Sequence, residues 1–195
     1  LLLGKAIHDL DFSLSGPVKP LGRQLADRLE GAFYVLDDER DIVRVIYTPK
    51  DNERMVLDLS SMRAQGLEGD LRSRDFTVNA IALSIDHRGQ VLDPMGGAAD
   101  LRAGILRACS ESTFIDDPAR VLRAVRQSLE HKLHMTPDTY RELRAAAGEL
   151  KRISPERQRD EIFRLLDSGS AASGIRLLDQ AGALRIVLPE LERLK

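Results

Sequence analysis

Residues 8–14 read HDLDFSL. Successive side chains on a strand point to opposite faces, so Asp9 and Asp11 share one face while Leu10 and Phe12 share the other. The run therefore predicts a strand that lies with its apolar side on a core and its carboxylates turned outward. Residues 32–36, 42–47 and 55–59 are similar runs, rich in Val, Ile, Leu, Phe and Tyr and bounded by Gly, Pro, Asn or Asp. Between the first two, Leu21, Leu25 and Leu29 recur every fourth residue, which predicts an amphipathic helix over 20–30. The order strand, helix, strand, strand, strand predicts a small mixed β-sheet flanked by helices, an α+β arrangement.

Further along, the pattern turns helical. Val121, Leu122, Val125 and Leu129 form one apolar stripe, Ile162, Leu165 and Leu166 a second, and Ile175, Leu177 and Leu178 a third. Asp117-Pro118 and Ser154-Pro155 each read as a capping residue followed by proline at a helix start. Two domains are expected: an α+β head over 1–110 and an all-α neck over 111–195. No internal repeat or low-complexity tract interrupts them.

Composition narrows the classes. The chain is 43% hydrophobic and 31% charged, enough apolar material for a core and too much for a disordered segment. No apolar run approaches the roughly 20 residues needed to cross a bilayer, and no leader of the signal-peptide kind opens the chain. The single cysteine, Cys109, has no internal partner, and no Cys/His spacing suits zinc. A cytoplasmic protein without a membrane partner is expected. The net charge of −2 is unevenly spread: residues 1–100 hold 12 Lys+Arg against 17 Asp+Glu, and residues 101–195 hold 17 against 14. The second half is the expected nucleic-acid surface.

Two aspartates side by side on a strand can hold two divalent ions about 3.5–4 Å apart, the arrangement that phosphoryl-type transfer onto a hydroxyl requires. An isolated D-x-D is also what an ordinary amphipathic strand with an acidic outer face looks like. Context separates the two. LLLGKAIHDLDFSL (1–14), LDLSSMR (57–63), LRSRDFTVNAIAL (71–83), LDPMGGAADL (92–101) and DDPARVLRAVR (116–126) follow one another in order. Together they resemble the class II tRNA nucleotidyltransferase and bacterial poly(A) polymerase superfamily, over nearly the whole chain.

That resemblance implies a catalytic head and a helical neck, with Asp9 and Asp11 as the metal-binding catalytic pair for Mg²⁺. It implies a third carboxylate at Asp58, aiding deprotonation of the RNA 3′ hydroxyl, although a lone acidic residue at a strand end is commonly just solvated. Arg74 is expected against the triphosphate, where a guanidinium forks onto two oxygens. Asp75 and Asn79 are expected to order the site; a helix cap and a partner for a buried backbone group are the competing structural readings. In LDPMGGAADL, Gly96-Gly97 reads as a turn supported by Asp93. The family's glycine turn would fall just upstream of Leu1, and a further helical region would follow LPELERLK. The Gly4-Lys5 pair is not a phosphate loop, because the glycine and Ser/Thr that such a loop needs around it are absent.

The same resemblance makes Asp117 and Arg120 a base-reading pair, with Arg123 and Arg126 contacting the nucleotide or its phosphates. Spacings of three put all four along one side of a helix. Cytosine and adenine each show an amino donor beside a ring-nitrogen acceptor, so a carboxylate accepts from the first while a guanidinium donates to the second. Guanine and uracil present the reverse pattern and would leave polar groups unpaired, at roughly 1–3 kcal/mol each. An N-cap at Asp117 and a surface ion pair to Arg120 are the plain structural alternative. Arg157, Arg159 and Arg164 read as a solvated helix face.

The expected function is template-independent addition of C, A or both to a tRNA 3′ end from CTP or ATP. The short segment AQGLEG (64–69) resembles CC-adding members. A poly(A) polymerase shares every motif, and a catalytically silent RNA-binding fragment is the alternative of another class.

Overall fold

A computed structural model describes residues 7–49, 53–62, 66–86 and 89–194, with 192–194 described by backbone alone. The Gly4-Lys5 pair and the first part of the 64–69 segment lie outside these residues. Packing divides the chain into two compact units, 1–70 and 71–195.

In the first unit, β1 (Asp9–Leu14) leads into α1 (Lys19–Arg28), followed by β2 (Ala32–Asp37), β3 (Ile42–Tyr47) and β4 (Met55–Ser61). The strands form one sheet in the order β1-β4-β3-β2. β1 runs parallel to β4, while β3 is antiparallel to both of its neighbours. The mixed sheet expected from the sequence is therefore the one observed, with element ends shifted by two residues or fewer.

Alternation decides its two faces. Val43, Val45, Leu57 and Leu59 are buried with Val18 and Ala26, and Leu10, Phe12, Leu25, Leu29 and Phe33 pack around them. Helix α1 covers this face so closely that a methyl at Gly22 would stand 2.7 Å from Val43 Cγ2. The opposite face carries Asp9, Asp11, Arg44 and Asp58. At the β2–β3 turn, Asp41 adopts φ 50° and its carboxylate accepts the Val18 N–H at 2.7 Å, tying the start of α1 to the hairpin.

Helix α2 (Gly66–Arg72) spans the division between the units. Beyond it, the second unit contains a 3-10 turn (Thr77–Asn79), β5 (Ala82–Leu83), β6 (Val91–Leu92), α3 (Gly97–Ala103) and β7 (Ile105–Leu106). The helical part follows: α4 (Thr113–Asp116), α5 (Ala119–Glu130), β8 (His134–Met135), α6 (Pro137–Ala146), α7 (Pro155–Asp167), α8 (Ala171–Gln180) and α9 (Leu184–Val187). The change of sequence pattern near residue 110 is not where packing divides the chain. Phe76 and Leu106 are fully buried with Phe114, Val121, Leu122, Val125 and Leu165, so residues 71–110 share the core of the helices. Apolar burial, not secondary-structure type, sets the compact units.

The first helical stripe behaves as expected: Val121, Leu122 and Val125 are buried and Leu129 packs against them. In the second, Ile162 and Leu165 are buried while Leu166 is exposed, because it lies beside the exposed Phe163 on the outer side of α7. Of the apolar stretch after Asp75, Phe76 is buried but Leu83 is exposed; the 3-10 turn ends the run, and Leu83 sits on the short β5–β6 ladder. Asp93 does support the Gly96-Gly97 turn, accepting the N–H groups of Gly97 and Ala98 at 2.7 and 2.9 Å. Helix α3 then presses on the Thr77–Asn79 turn, and Asp100 accepts from Thr77 Oγ1 at 2.8 Å and from Arg107.

A methyl on Gly97 would run into the Thr77 carbonyl. Gly97→Ala is expected to lower unfolding free energy by about 1–3 kcal/mol, the usual cost of overpacking a rigid contact. Urea denaturation measures this, and an unchanged midpoint would show that α3 can move away freely.

Candidate active site

In the first unit, β1 and β4 align Asp11 with Asp58, and β3 aligns Arg44 with Asp58 and with Tyr34 of β2. Asp11, Asp58, Arg44 and Tyr34 thus form one row across the whole sheet, all on the face away from α1. Asp9 stands on the same face, one row from Asp11. Asp9 and Asp11 are both exposed. Asp58 is partly buried, and both of its oxygens accept from Arg44, from Nε and Nη2 at 2.7 Å each. The hydrogen bond to Asp58 is the main reason that the Arg44 guanidinium titrates above its ordinary value, outweighing burial; the charges of Asp58, Asp9 and Asp11 add to it.

Hard carboxylate oxygens suit a hard divalent cation, and Mg²⁺ is commonly held by one or two carboxylates plus substrate phosphates. Asp9 and Asp11 meet that requirement as a pair. Among the described residues, no three of His, Cys, Asp and Glu gather as a ready-made metal cluster. His8, next in sequence to the pair, has Nδ1 at 3.3 Å from Glu53.

The second unit holds the remaining candidate residues. Asp75 is buried and collects four donors: the Phe76 N–H at 2.8 Å, Asn79 Nδ2 at 3.0 Å, and Arg123 through Nε at 2.9 Å and Nη2 at 2.7 Å. Asn79 also donates to Gln127 Oε1 at 2.9 Å. The partner of Asn79 is therefore a pair of side chains and not a buried backbone group. This carboxylate closes the Thr77–Asn79 turn and fastens it to α5. Arg74, directly before it, is half-buried.

Asp117, Arg120, Arg123 and Arg126 do not stand in one line. Helix α5 begins at Ala119, so Asp117 precedes it in extended backbone, at φ −146° and ψ 98°. On the helix, steps of three residues drift by about 60° each, which fans the three arginines apart. Arg120 donates to the carbonyls of Thr113 and Ser73 at 3.3 and 3.0 Å. Arg123 engages Asp75. Arg126 engages Glu161 at 2.8 Å and Glu130 at 2.7 Å. Burial alone would make Arg126 easier to deprotonate, but the hydrogen bond and charge of Glu161 outweigh it and hold its pKa above the ordinary value.

Asp117 pairs with Arg157 of α7, whose Nη2 lies 2.8 and 3.0 Å from the two carboxylate oxygens, and it accepts the Ala119 N–H at 3.2 Å. The i,i+3 pair with Arg120 expected from the spacing is thus replaced by a contact to a helix much further along the chain. Burial raises the Asp117 pKa and the Arg157 hydrogen bond lowers it; the net shift is downward, so the carboxylate is held ionised and able to accept. Arg157, read from sequence as a solvated charge, is a neighbour of the base-reading candidate. Arg44 and Gln127 carried no sequence signal beyond their residue type, since their partners are supplied by other strands and turns.

Residues 1–107 match the model of the poly A polymerase head domain, and residues 132–195 match one described as the probable RNA and SrmB-binding site of polymerase A. The CC-adding tRNA nucleotidyltransferase of Geobacter sulfurreducens is 35% identical over 93% of this chain and 41% of its own length. The A-adding tRNA nucleotidyltransferase of Deinococcus radiodurans is 38% identical over 96% of this chain and 43% of its own length. A solved structure of a tRNA-processing enzyme with CTP superposes with a TM-score of 0.82 at 29% identity, covering 95% of this chain and 51% of that one. The chain thus spans less than half the length of these two curated relatives. With the head-domain match covering more than half of its residues, and the ordered motifs lying on the sheet and helices just described, the chain belongs to the poly A polymerase head-domain family, that of the class II tRNA nucleotidyltransferases.

Proposed function

We propose that the protein of which this chain forms the head and neck adds C, A or both to the 3′ end of tRNA from CTP or ATP. The observation that carries this reading is the exposed Asp9/Asp11 pair on a sheet face shared with Asp58, in a chain of this family. The two relatives reported above act on tRNA but differ in product, so their similarity supports the substrate class and not one nucleotide.

In this reading Asp9 and Asp11 hold Mg²⁺, and Asp58 is the third carboxylate of the face. Bound divalent ions supply Lewis-acid stabilisation of the attacking and leaving oxygens. The 3′ hydroxyl oxygen forms a bond to the α-phosphorus, the bond to pyrophosphate breaks, and the hydroxyl proton is lost to a nearby acceptor. Arg74 contributes a guanidinium for the triphosphate.

Asp117 and Arg120 are assigned to the base, the first accepting from the exocyclic amino group and the second donating to the ring nitrogen. Arg157 supports this assignment by keeping the Asp117 carboxylate ionised. Asp75 and Asn79 order the segment that carries Arg74. The ion pairs of Arg123 and Arg126 favour a structural part for both alongside any contact to the nucleotide. An enzyme of tRNA maturation of this kind works in the cytoplasm, and no helix among the described residues is long and apolar enough to cross a membrane.

The test is incorporation of labelled CTP or ATP by the full-length protein into tRNAs ending at the discriminator base, at C and at CC. Asp9→Asn or Asp11→Asn is expected to cut the rate by about 10²-fold or more, as for loss of a group that stabilises transition-state charge. Normal rates in both would remove the metal assignment. Repeated A addition to any RNA would favour a poly(A) polymerase, and no incorporation at all would leave an RNA-binding protein. Asp117→Ala is expected to narrow the preference for CTP and ATP over UTP and GTP by roughly tenfold or more. Competition assays with mixed nucleotides measure this, and unchanged selectivity would count against the base-reading assignment.

A further inference from the structure

We infer that the RNA lies across the sheet face that carries Asp9 and Asp11, and that Tyr34 stacks on a base just behind the RNA 3′ end. This rests on the proposed reading of that face as the place where an RNA end is extended, and it names the residue that grips the strand there.

Register places the ring. Tyr34, Arg44, Asp58 and Asp11 are successive partners across β2, β3, β4 and β1, so all four side chains stand on the face away from α1. Strands in a sheet lie about 4.8 Å apart, and three such steps put the Tyr34 Cα about 14 Å from that of Asp11. One nucleotide does not reach so far, so a base over Tyr34 belongs to the strand behind the reacting end. β2 is the outer strand of the sheet, which leaves the ring approachable from its far side.

Charge decides what kind of contact such a face can make. The row of Asp11 and the neighbouring row of Asp9, Val56, Ile46 and Ala32 together hold three carboxylates and one guanidinium, an excess of two negative charges. The guanidinium, Arg44, is already forked onto Asp58. A polyanion gains no general attraction from this surface. Away from bound divalent ions, the RNA has to be held by a contact that does not depend on charge. Stacking on an aromatic ring is such a contact, and it tolerates any sequence because every base has a π-face. An end that grows by C or A changes its own sequence as it is extended, so a tolerant grip suits it.

The chain has few rings to offer: three tyrosines, five phenylalanines and no tryptophan. Of these only Tyr34 and Phe163 are exposed, and Phe163 lies on α7 in the second unit. Phe33, next to Tyr34 in sequence, points the other way and packs against the core under α1. Tyr34, 50% exposed, is thus the one exposed aromatic residue of the first unit, and it shares a face with the candidate carboxylates.

Steady-state incorporation by the full-length protein, with a tRNA ending at the discriminator base, tests this. Tyr34→Ala is expected to raise KM for the tRNA about tenfold and to leave KM for the nucleotide unchanged. Tyr34→Phe should match the parent, and Tyr34→Leu should match the alanine variant, with thermal melts confirming that each folds. The factor lost on Tyr34→Ala should be the same at about 50 and 200 mM salt, because lost stacking releases no counterions.

An unchanged tRNA KM in Tyr34→Ala would overturn the inference. So would a Tyr34→Leu variant that behaves as the parent, since the ring would then be dispensable, or a loss confined to the KM of the nucleotide. A fluorescent adenine analogue placed just behind the RNA 3′ end separates this contact from the enzymatic reading. Without nucleotide, its emission should be quenched on binding the parent and not on binding Tyr34→Ala. Quenching by a parent that incorporates nothing would sink the enzymatic reading and keep the RNA contact. Equal emission on the parent and on Tyr34→Ala, with RNA bound to both, would sink the contact whatever the activity.

Discussion

Parallel pairing of β1 with β4 is the constraint on which the first unit depends. A parallel pair cannot be closed by a tight turn, so the chain has to leave β1, cross over and return. It does so through α1 and the β2–β3 hairpin, so that β4 comes back to lie directly between β1 and β3. Six residue pairs in register then set every side chain on both strands to a defined face. A slip of one residue would bury Asp9 and Asp11 and expose Leu10 and Phe12, so the apolar core that α1 covers also fixes the anionic face.

The second unit is organised around a different kind of interaction. Asp75 is a buried carboxylate, and burial of a charge is tolerated only when it is paired and hydrogen-bonded. Here a backbone N–H, an amide and a guanidinium fork meet that need, and among the described residues no buried side-chain nitrogen or oxygen lacks a partner. The arrangement binds the turn after Arg74 to α5, while Asp100 and Arg107 brace the same turn from α3. Helices α5 and α7 are fastened in turn by Arg126 with Glu161 and by Asp117 with Arg157. Much of the arginine-rich motif is consequently engaged with the protein's own carboxylates.

This pairing changes how a basic motif is to be read. Arginines on an exposed helix would offer charge to phosphate wherever it came from. Arginines already forked onto carboxylates act as rigid supports for the residues they hold. Asp117 is the clearest case: Arg157 keeps it ionised and fixes its orientation, which is what the base-reading part proposed for it requires. Arg120, bonded to two backbone carbonyls, still has guanidinium N–H groups beyond those bonds.

The residue order alone determined the four strands of the first sheet, the helices α1, α5, α7 and α8, and the placing of Asp9 with Asp11 on one face, because alternation and helical period are local properties. It also carried the family, through ordered motifs that need no coordinates. What only the tertiary structure decided is who meets whom. Arg44 is one polar residue in an apolar strand until β4 brings Asp58 beside it, and Asp117 looked like a partner for Arg120 until α7 brought Arg157 across 40 residues of sequence. The division of the chain after Asp70 was hidden for the same reason: Phe76 and Leu106 belong by sequence to a mixed segment, but their burial depends on helices that come later. Local pattern dictates which face a side chain takes, and only the folded chain brings together the distant residues that share it.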